Sequence, residues 1–249
     1  MIDNMNMIIP DWDIPKHIKA LSTTRNGGVS RAPFNSFNVA HHVGDDTESV
    51  KANRDILRGE WLLPNEPYWL NQTHSTRVIH VNDKAEDRNA DASWTEQGNQ
   101  VCTVMTADCL PLLMYQSNPE SVAATHAGWR GLLDGIIENT IEALPGNTET
   151  IKVWLGPAIG PKAFEVGPEV KQAFAEHNPS SEQCFKPSHN AGKYLTDLYQ
   201  LAILRLNSVG VTDISGGNYC TFAEDEIFYS YRRDGETGRM ASLIWMEND

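Results

Sequence analysis

Short runs of apolar and β-branched residues recur along the chain and predict strands, whereas apolar residues at helical spacing predict fewer helices. The predicted strands are Ile18–Thr24, Tyr68–Leu70, Val78–Val81, Val101–Thr106, Leu110–Tyr115, Ser121–Thr125, Ile151–Leu155, Ile227–Tyr231 and Met240–Trp245. The predicted helices are Asp46–Leu57, Gly131–Leu144, Pro168–His177 and Leu195–Val209. Because the strands outnumber the helices and alternate with them irregularly, the pattern predicts an α+β or mixed α/β fold and not a regular doubly wound sheet.

Composition adds limits on size and partners. The chain has 249 residues, of which 40% are hydrophobic, enough to bury a core without disulfide bonds. No repeat, low-complexity tract or flexible linker divides it, so we expect one domain over residues 1–249. The formal net charge of −13 argues against nucleic acid and anionic membranes as partners. A local group of arginines can still hold an anionic small substrate.

Cysteine usage and the N-terminus indicate a compartment. The chain has four cysteines, and no two of them form a CxxC pair. The N-terminus lacks the basic and apolar segments of a signal peptide, and no apolar run approaches the roughly 20 residues that cross a bilayer. We therefore expect a cytoplasmic protein with reduced thiols, which are available as metal ligands or nucleophiles.

Three short segments place a histidine or cysteine at or near the end of a predicted strand. They are NQTHSTRV with His74, TADCLPLL with Cys109, and THAGWRG with His126. Two imidazoles and one thiolate suit zinc, and three protein ligands leave a fourth position open, as in catalytic zinc sites. Asp108, next to Cys109, is a candidate acid or base, although an aspartate there can equally cap a turn.

Spacing alone makes this metal site a weak hypothesis. A free cysteine after an apolar strand is more often a core residue, and a histidine in a loop is more often a hydrogen-bonded turn residue. The intervals between the three residues match no zinc-finger or zinc-ribbon pattern.

The motifs are more specific than their spacing, and they resemble those of the YfiH family, also called the laccase-domain or polyphenol oxidase family. The resemblance covers the chain from about Pro10 to Trp245. The motifs are TTRNGGVS, FNSFNVAHHVGDD, TADCLPLL, HAGWRG, GPAIGPKAFEVGPEV and YSYRRDGETGR. The resemblance implies a single-domain α+β fold, a four-layer α/β/β/α sandwich with mixed sheets, and a metal site formed by His74, Cys109 and His126.

The resemblance also implies an activity. Members of this family are understood as purine nucleoside phosphorylases acting on adenosine, inosine and methylthioadenosine, with adenosine deaminase activity in addition. Purine nucleosides and phosphate are then the partners, and zinc is the expected metal. One departure stands at Ser75, where the family commonly has glycine. Serine tolerates a positive φ less well, so we expect a slightly different loop around His74.

Phosphorolysis requires a phosphate beside the ribose, and arginines near glycine-rich loops suit that need. The candidates for contact with phosphate or substrate are Arg25, His42, Arg130, Arg232, Arg233 and Arg239. For each arginine the alternative is a surface charge or a structural ion pair. For His42 the alternative is a residue that only holds its loop, with which Asn38 can hydrogen-bond.

Three other functions stay open from the residues. A laccase needs about ten histidines, many in HxH pairs, whereas this chain has eight and no HxH; a full multicopper centre is excluded, but copper at the His–Cys–His site is an alternative to zinc. Cys109 with His74 or His126 can also form the nucleophile and base of a metal-free cysteine hydrolase. The third is a non-catalytic zinc-stabilised protein. We expect a monomer.

Overall fold

The structure is a computed structural model that describes residues 7–82 and 86–248. Strands and helices alternate along these residues. The strands are β1 Ile18–Ser22, β2 Val78–His80, β3 Ala92–Thr95, β4 Cys102–Thr106, β5 Leu110–Ser117, β6 Glu120–Ala127, β7 Ile151–Leu155, β8 Glu165–Val166, β9 Phe185–Pro187, β10 Tyr194–Thr196, β11 Asp213–Gly216 and β12 Met240–Met246. The helices are α1 Thr47–Glu60, α2 Trp129–Asp134, α3 Ile136–Ala143, α4 Pro168–His177, α5 Leu198–Ser208 and α6 Tyr231–Asp234.

Two larger sheets form the centre of the fold. One has six strands in the order β11-β7-β5-β6-β3-β2, and the other has three in the order β1-β12-β4. The six-stranded sheet is mixed, because β11 runs parallel to β7 and β2 parallel to β3 while the other neighbours are antiparallel. A small third sheet has the order β8-β10-β9.

Alternating residues of these strands separate the cores on either side of each sheet. Leu113 of β5, Val104 of β4 and Ile244 of β12 share one buried cluster, which lies between the two larger sheets. Leu112, the neighbour of Leu113, faces the other way and packs in a cluster with residues of α3, α4 and α5. Leu243 faces away from the six-stranded sheet and shares a third cluster with residues of α1.

The layers are therefore helices, six-stranded sheet, three-stranded sheet and α1. This mixed α+β sandwich confirms the expected fold class. No helix among residues 7–82 and 86–248 combines the length and the apolar character needed to cross a membrane. One domain over residues 1–249 stays a prediction, which the shared core between the two sheets supports.

Several predicted elements have the right place but different bounds. Ile151–Leu155 and Pro168–His177 are confirmed with the predicted bounds. Gly131–Leu144 as one helix is wrong, because Gly135 has φ +100° and divides it into α2 and α3. The helix predicted from Leu195 begins only at Leu198, after a capping aspartate.

Two predicted strands are wrong. Tyr68–Leu70 is no strand, since only Tyr68 makes an isolated bridge, to Cys102. Ile227–Tyr231 is also no strand, because Ser230 accepts a hydrogen bond from the backbone N–H of Arg233 and caps α6. Leu70, Phe228 and Tyr229 in these stretches are buried in loops, which accounts for their apolar character.

Candidate metal centre and active site

His74, Cys109 and His126 come together at one end of the six-stranded sheet. Their ligand atoms all lie within 4.8 Å of one another, and no other group of three or more potential ligands meets that spacing among the described residues. Cys109 Sγ is 3.7 Å from His74 Nε2, and the two imidazole rings are 4.9 Å apart, edge to face. Distances of this size leave space for one ion between the three atoms.

Sheet register explains why residues distant in sequence meet here. Cys109 precedes β5, and His126 is near the end of β6, where it pairs with Pro111 of the antiparallel β5. The start of β5 and the end of β6 are therefore adjacent. His74 lies in the loop before β2 and has φ +62°, a conformation that non-glycine residues adopt at a cost of roughly 1–2 kcal/mol.

Gly128 closes the cluster from the side of α2. A Cβ atom at this position would lie 2.7 Å from His74 Cδ2 and 3.1 Å from Cys109 Sγ. Neither distance leaves room for a carbon atom, so glycine is required for close packing here and not for backbone conformation, since its φ is −68°. The glycine of HAGWRG thus preserves the space around the three potential ligands.

Asp91, which the sequence analysis did not single out, holds both histidines. Its side chain is fully buried. Oδ1 is 2.8 Å from His126 Nδ1 and accepts a hydrogen bond from the backbone N–H of His74. Oδ2 accepts from the backbone N–H groups of Thr73 and Ser75 and from the Ser75 hydroxyl. One carboxylate therefore fixes the loop that carries His74 and the ring of His126.

The expected effect of Ser75 on its loop is wrong in its cause. The positive φ falls on His74. Ser75 instead adds a hydrogen bond of 2.7 Å from its hydroxyl to Asp91 Oδ2, which a glycine cannot make.

The cluster is strongly polarised. Burial raises the pKa of the Cys109 thiol, but the positive charge of His126 and the hydrogen bonds from both histidines outweigh burial and lower it to about 6. Burial lowers the pKa of His126, but the Cys109 thiolate and Asp91 raise it to about 9. Cys109 is thus a thiolate at neutral pH, which is the form that binds metals and attacks electrophiles.

Asp108 lies beside Cys109 with φ +94° and is nearly buried. Oδ1 accepts a hydrogen bond of 2.7 Å from the Thr221 hydroxyl, and Oδ2 accepts one of 2.6 Å from the backbone N–H of Arg232. The carboxylate therefore joins the β4–β5 turn to the first turn of α6. Its role as an acid or base stays a prediction.

Four of the candidate arginines bind backbone carbonyls: Arg25, Arg232 and Arg233, and also Arg239, which donates to the carbonyls of residues 237 and 238 at 2.8 and 2.9 Å. Arg25 donates to the carbonyls of residues 35 and 225, and Arg232 to those of residues 163 and 165. Arg233 donates to three carbonyls, of residues 221, 222 and 228, and to the carboxylate of the adjacent Asp234. These guanidinium groups connect loops, which is the structural alternative named for them. Phosphate contact by them stays a prediction.

Arg130, Arg239 and His42 differ from Arg25, Arg232 and Arg233 in their surroundings. Arg130 is exposed at the start of α2 and lies over the Trp129 ring at 4.3 Å. Arg239 is half-buried, where burial lowers its pKa while the negative charges of Cys109 and Asp108 oppose that change. Partial burial and the charge of Arg239 lower the pKa of His42. Arg239 therefore lies within electrostatic range of both Cys109 and His42.

The remaining residues named from the sequence have packing or loop roles. Asn38 accepts hydrogen bonds from the backbone N–H groups of Ala40 and Arg239 and is fully buried. Cys102 and Cys184 are buried, and burial raises the pKa of the Cys102 thiol to about 12. Cys220 accepts a hydrogen bond from the backbone N–H of Gly160. None of these residues belongs to the group formed by His74, Cys109 and His126.

Comparison with known proteins defines the class first. A family model described as multi-copper polyphenol oxidoreductase laccase matches residues 19–247. A solved Neisseria meningitidis protein of family DUF152 superposes with a TM-score of 0.93 at 46% identity, covering 98% of this chain and 100% of that one. The chain belongs to this laccase-like family, the one that its motifs indicated.

Named relatives are more specific. A Haemophilus influenzae protein named purine nucleoside phosphorylase is 52% identical over 98% of this chain and 100% of its own length. Purine nucleoside phosphorylase YfiH of Escherichia coli (strain K12) is 47% identical over 96% of this chain and 98% of its own. The relatives that this chain resembles over its whole length are thus named as enzymes, and the His–Cys–His group is compatible with a metal site.

Proposed function

We propose that this protein is a purine nucleoside phosphorylase whose centre is a zinc ion held by His74, Cys109 and His126. The observation that carries the proposal is the close approach of three metal-ligating atoms on three separate segments, within 4.8 Å. The whole-length similarity to proteins named purine nucleoside phosphorylases supports the reaction class.

The residues present fit the ion. The two imidazoles and the thiolate are the ligand types that zinc prefers, and three of them leave a position for water or substrate. The glycine at position 128 lets its backbone pack against His74 and Cys109 more closely than a Cβ would allow. Zinc, when bound, supplies Lewis acidity to a water or substrate oxygen. Copper is the alternative metal for the same three ligands.

This chain's own residues supply the anion site that phosphorolysis needs. Phosphate must lie beside the ribose while the purine leaves with negative charge. We propose Arg239 and His42 for contacts on the side of Cys109, and Arg130 on the side of α2. Arg130 is exposed and lies over the Trp129 ring, so its N–H donors are open to solvent or a ligand. Arg25, Arg232 and Arg233 are assigned mainly to loop structure.

Adenosine deamination would use the same pocket and a proton donor near the departing amine. Asp108 stands next to Cys109 but accepts hydrogen bonds at both oxygens. We therefore propose that Asp108 mainly positions the turn. Phosphorolysis needs phosphate beside C1′ of the ribose, whereas deamination needs water beside C6 of the purine and releases ammonia.

Product analysis tests this function. Purified protein with one equivalent of zinc is incubated with adenosine, inosine or methylthioadenosine, with and without phosphate, and the products are separated. We expect free base and ribose 1-phosphate (or its methylthio form) only when phosphate is present, and inosine from adenosine without it. Cys109→Ser is the control. Equal turnover by this variant, or no product from the wild type, would contradict the proposal.

The polarised thiolate favours a second candidate, a metal-free cysteine hydrolase. Its nucleophile would be Cys109 and its base His126, which Asp91 orients through Nδ1. Metal analysis decides between the two. Full activity after chelation, lost on alkylation of Cys109, favours the hydrolase, whereas activity that chelation removes and zinc restores favours the metal enzyme. Chelation that lowers stability without any turnover to abolish would indicate a structural zinc protein.

A multicopper oxidase is not supported by the positions of the histidines. His17 pairs with Glu120, and His80 pairs with Glu96 and stacks on Trp94. Among the described residues, which include all eight histidines, only His74 and His126 enter a ligand group of three. All three ligands come from one chain, so a monomer stays our prediction, which size-exclusion chromatography with light scattering tests.

A further inference from the structure

The buried carboxylate of Asp91 accepts hydrogen bonds from the segments that carry both histidines, and the Ser75 hydroxyl is one of the donors. Five donors converge on it: three backbone N–H groups, one hydroxyl and one imidazole nitrogen, at 2.7 to 3.2 Å. The backbone carbonyl of Asp91 accepts a further hydrogen bond of 2.7 Å from the N–H of His126. Ordinary loop carboxylates cap one turn, whereas this one joins a loop to a strand.

We propose that Asp91, assisted by the Ser75 hydroxyl, is the positioning residue that sets the metal affinity and the ligand geometry of the His–Cys–His centre. The inference rests on the metal site of the proposed function and names what that site requires from its surroundings. Neither residue is placed in contact with the metal.

Asp91 fixes the imidazole ring of His126 through a buried hydrogen bond. The ring's Nδ1 lies 2.8 Å from Asp91 Oδ1, so the nitrogen that faces Asp91 carries the proton and donates it. A metal would displace the second proton of the imidazolium, and the other nitrogen, Nε2, would then offer its lone pair to that metal. The contact fixes the tautomer and the rotation of the ring, and the negative charge makes the imidazole a stronger donor to a metal. Both partners are buried, so water does not compete for this bond.

The backbone of His74 is in the left-handed region, at φ +62°. A loop in that conformation needs stabilising contacts, because a non-glycine residue is disfavoured there. The N–H groups of residues 73, 74 and 75 all point to Asp91, which is the arrangement of an anion held by successive backbone amides. The carboxylate therefore fixes the backbone from which the His74 side chain extends to Cys109.

The hydroxyl of Ser75 takes part in two hydrogen bonds. It lies 2.7 Å from Asp91 Oδ2 and 3.3 Å from the backbone N–H of Arg77, from which it accepts. The hydroxyl thus extends the hydrogen-bond network to Arg77, the residue directly before β2. Removing it leaves the three amides and the carboxylate in place, so Ser75→Ala is a mild perturbation of the same network.

The test measures zinc affinity by competition with a chromophoric chelator, and the absorption spectrum of the Co²⁺-substituted protein. Asp91→Asn places an NH₂ group against backbone N–H donors and removes the charge; we expect a loss of zinc affinity of about 10–100-fold, the range for partners of metal ligands. The thiolate-to-cobalt and d–d bands should also shift. Ser75→Ala should cost about threefold to tenfold, the equivalent of one hydrogen bond.

Asp197→Ala is the control, because alanine removes a helix cap that asparagine would keep. Asp197 caps α5 by accepting the backbone N–H of Gln200 at 3.1 Å, so its replacement weakens the fold without reaching the metal centre. We expect it to lower the stability of the metal-free protein and to leave zinc affinity and the cobalt spectrum unchanged. A purely structural role for Asp91 would give that same pattern in Asp91→Asn.

The outcomes separate this inference from the proposed function. Wild-type protein that binds cobalt without a thiolate band would contradict the metal site itself, and with it the inference. Wild-type protein with that band, together with an Asp91→Asn variant of equal affinity and identical spectrum, would overturn the inference alone. If Asp91→Asn does not fold, Ser75→Ala decides: unchanged affinity and spectrum overturn the proposal, and a weakened site supports it.

Discussion

Replacing Gly128 with alanine is a direct steric test of the metal centre. The backbone at Gly128, φ −68° and ψ 162°, is one that alanine adopts readily, so the chain itself is not strained. The new methyl group would lie 2.7 Å from His74 Cδ2, 3.1 Å from Cys109 Sγ and 3.2 Å from His74 Nε2. Ordinary carbon contacts lie near about 3.5–4.0 Å, so the imidazole must move by roughly 0.8 Å or more.

Metal sites tolerate only about ±0.2 Å in their ligand distances, so a shift of that size disrupts coordination. We expect Gly128→Ala to lower zinc affinity on the order of 100-fold, or about 2.7 kcal/mol. Stability of the metal-free protein should change by no more than about 1 kcal/mol, because a glycine-to-alanine change also removes entropy from the unfolded chain. Competition with a chelator measures the affinity, and urea unfolding the stability.

Gly59→Ala is the matched control, since no atom lies within 4 Å of a Cβ built there. It should leave zinc affinity unchanged. The reasoning would be refuted by a Gly128→Ala protein that binds zinc as tightly as the wild type and retains its turnover of nucleosides.

Three further predictions follow from the same contacts. In the metal-free protein, the reaction of Cys109 with iodoacetamide should have its midpoint near pH 6, because the pKa of the thiol is lowered to about 6. His126→Ala should raise this midpoint, which mass spectrometry of the alkylated protein across pH measures. An unshifted midpoint would exclude the ion pair between Cys109 and His126. Asp108→Asn should cost about 1–3 kcal/mol of stability, since its carboxylate holds the N–H of Arg232, and should retain zinc; loss of deamination alone would instead assign Asp108 as the acid. Gly135→Ala should destabilise the fold by about 1–2 kcal/mol in urea unfolding because φ there is +100°, and an unchanged midpoint would show that the α2–α3 break tolerates a side chain.

The ligands could be found from sequence, but only by motif. His74, Cys109 and His126 stand in segments of high specificity, and the sheet register that joins β5 to β6 is what brings two of them together. Spacing along the chain carries no such information, because the antiparallel pairing of β5 and β6 is decided by their shared hydrophobic core. A lone cysteine is more often a buried core residue, and in this protein Cys102, not Cys109, has that role.

Asp91 was missed because its role depends on tertiary structure. It stands just before β3, whose residues pair with β6 with Ala92 opposite Thr125, and this places the carboxylate beside His126. The available signal was an acidic residue directly before a short strand of small and β-branched residues. Strand β3 itself was not predicted, so that signal had no context.

For the arginines, motif membership does not distinguish contact with a ligand from contact with the protein's own loops. Motif membership made Arg25, Arg232 and Arg233 candidates for phosphate, whereas the structure gives each of them backbone carbonyls as partners. A sequence reports which residue types a motif needs but not whether a guanidinium serves a ligand or a loop. The break between α2 and α3 was visible as Gly135, yet a glycine within a helical pattern does not by itself reveal a left-handed φ.

The most direct test of the account is diffraction from crystals of the zinc-loaded protein soaked with a purine nucleoside, with anomalous data at the zinc edge. We predict one anomalous peak at about 2.0–2.3 Å from Cys109 Sγ and one nitrogen of each of His74 and His126, with the nucleoside beside it. An ion bound elsewhere, or a nucleoside remote from these three residues, would contradict the account.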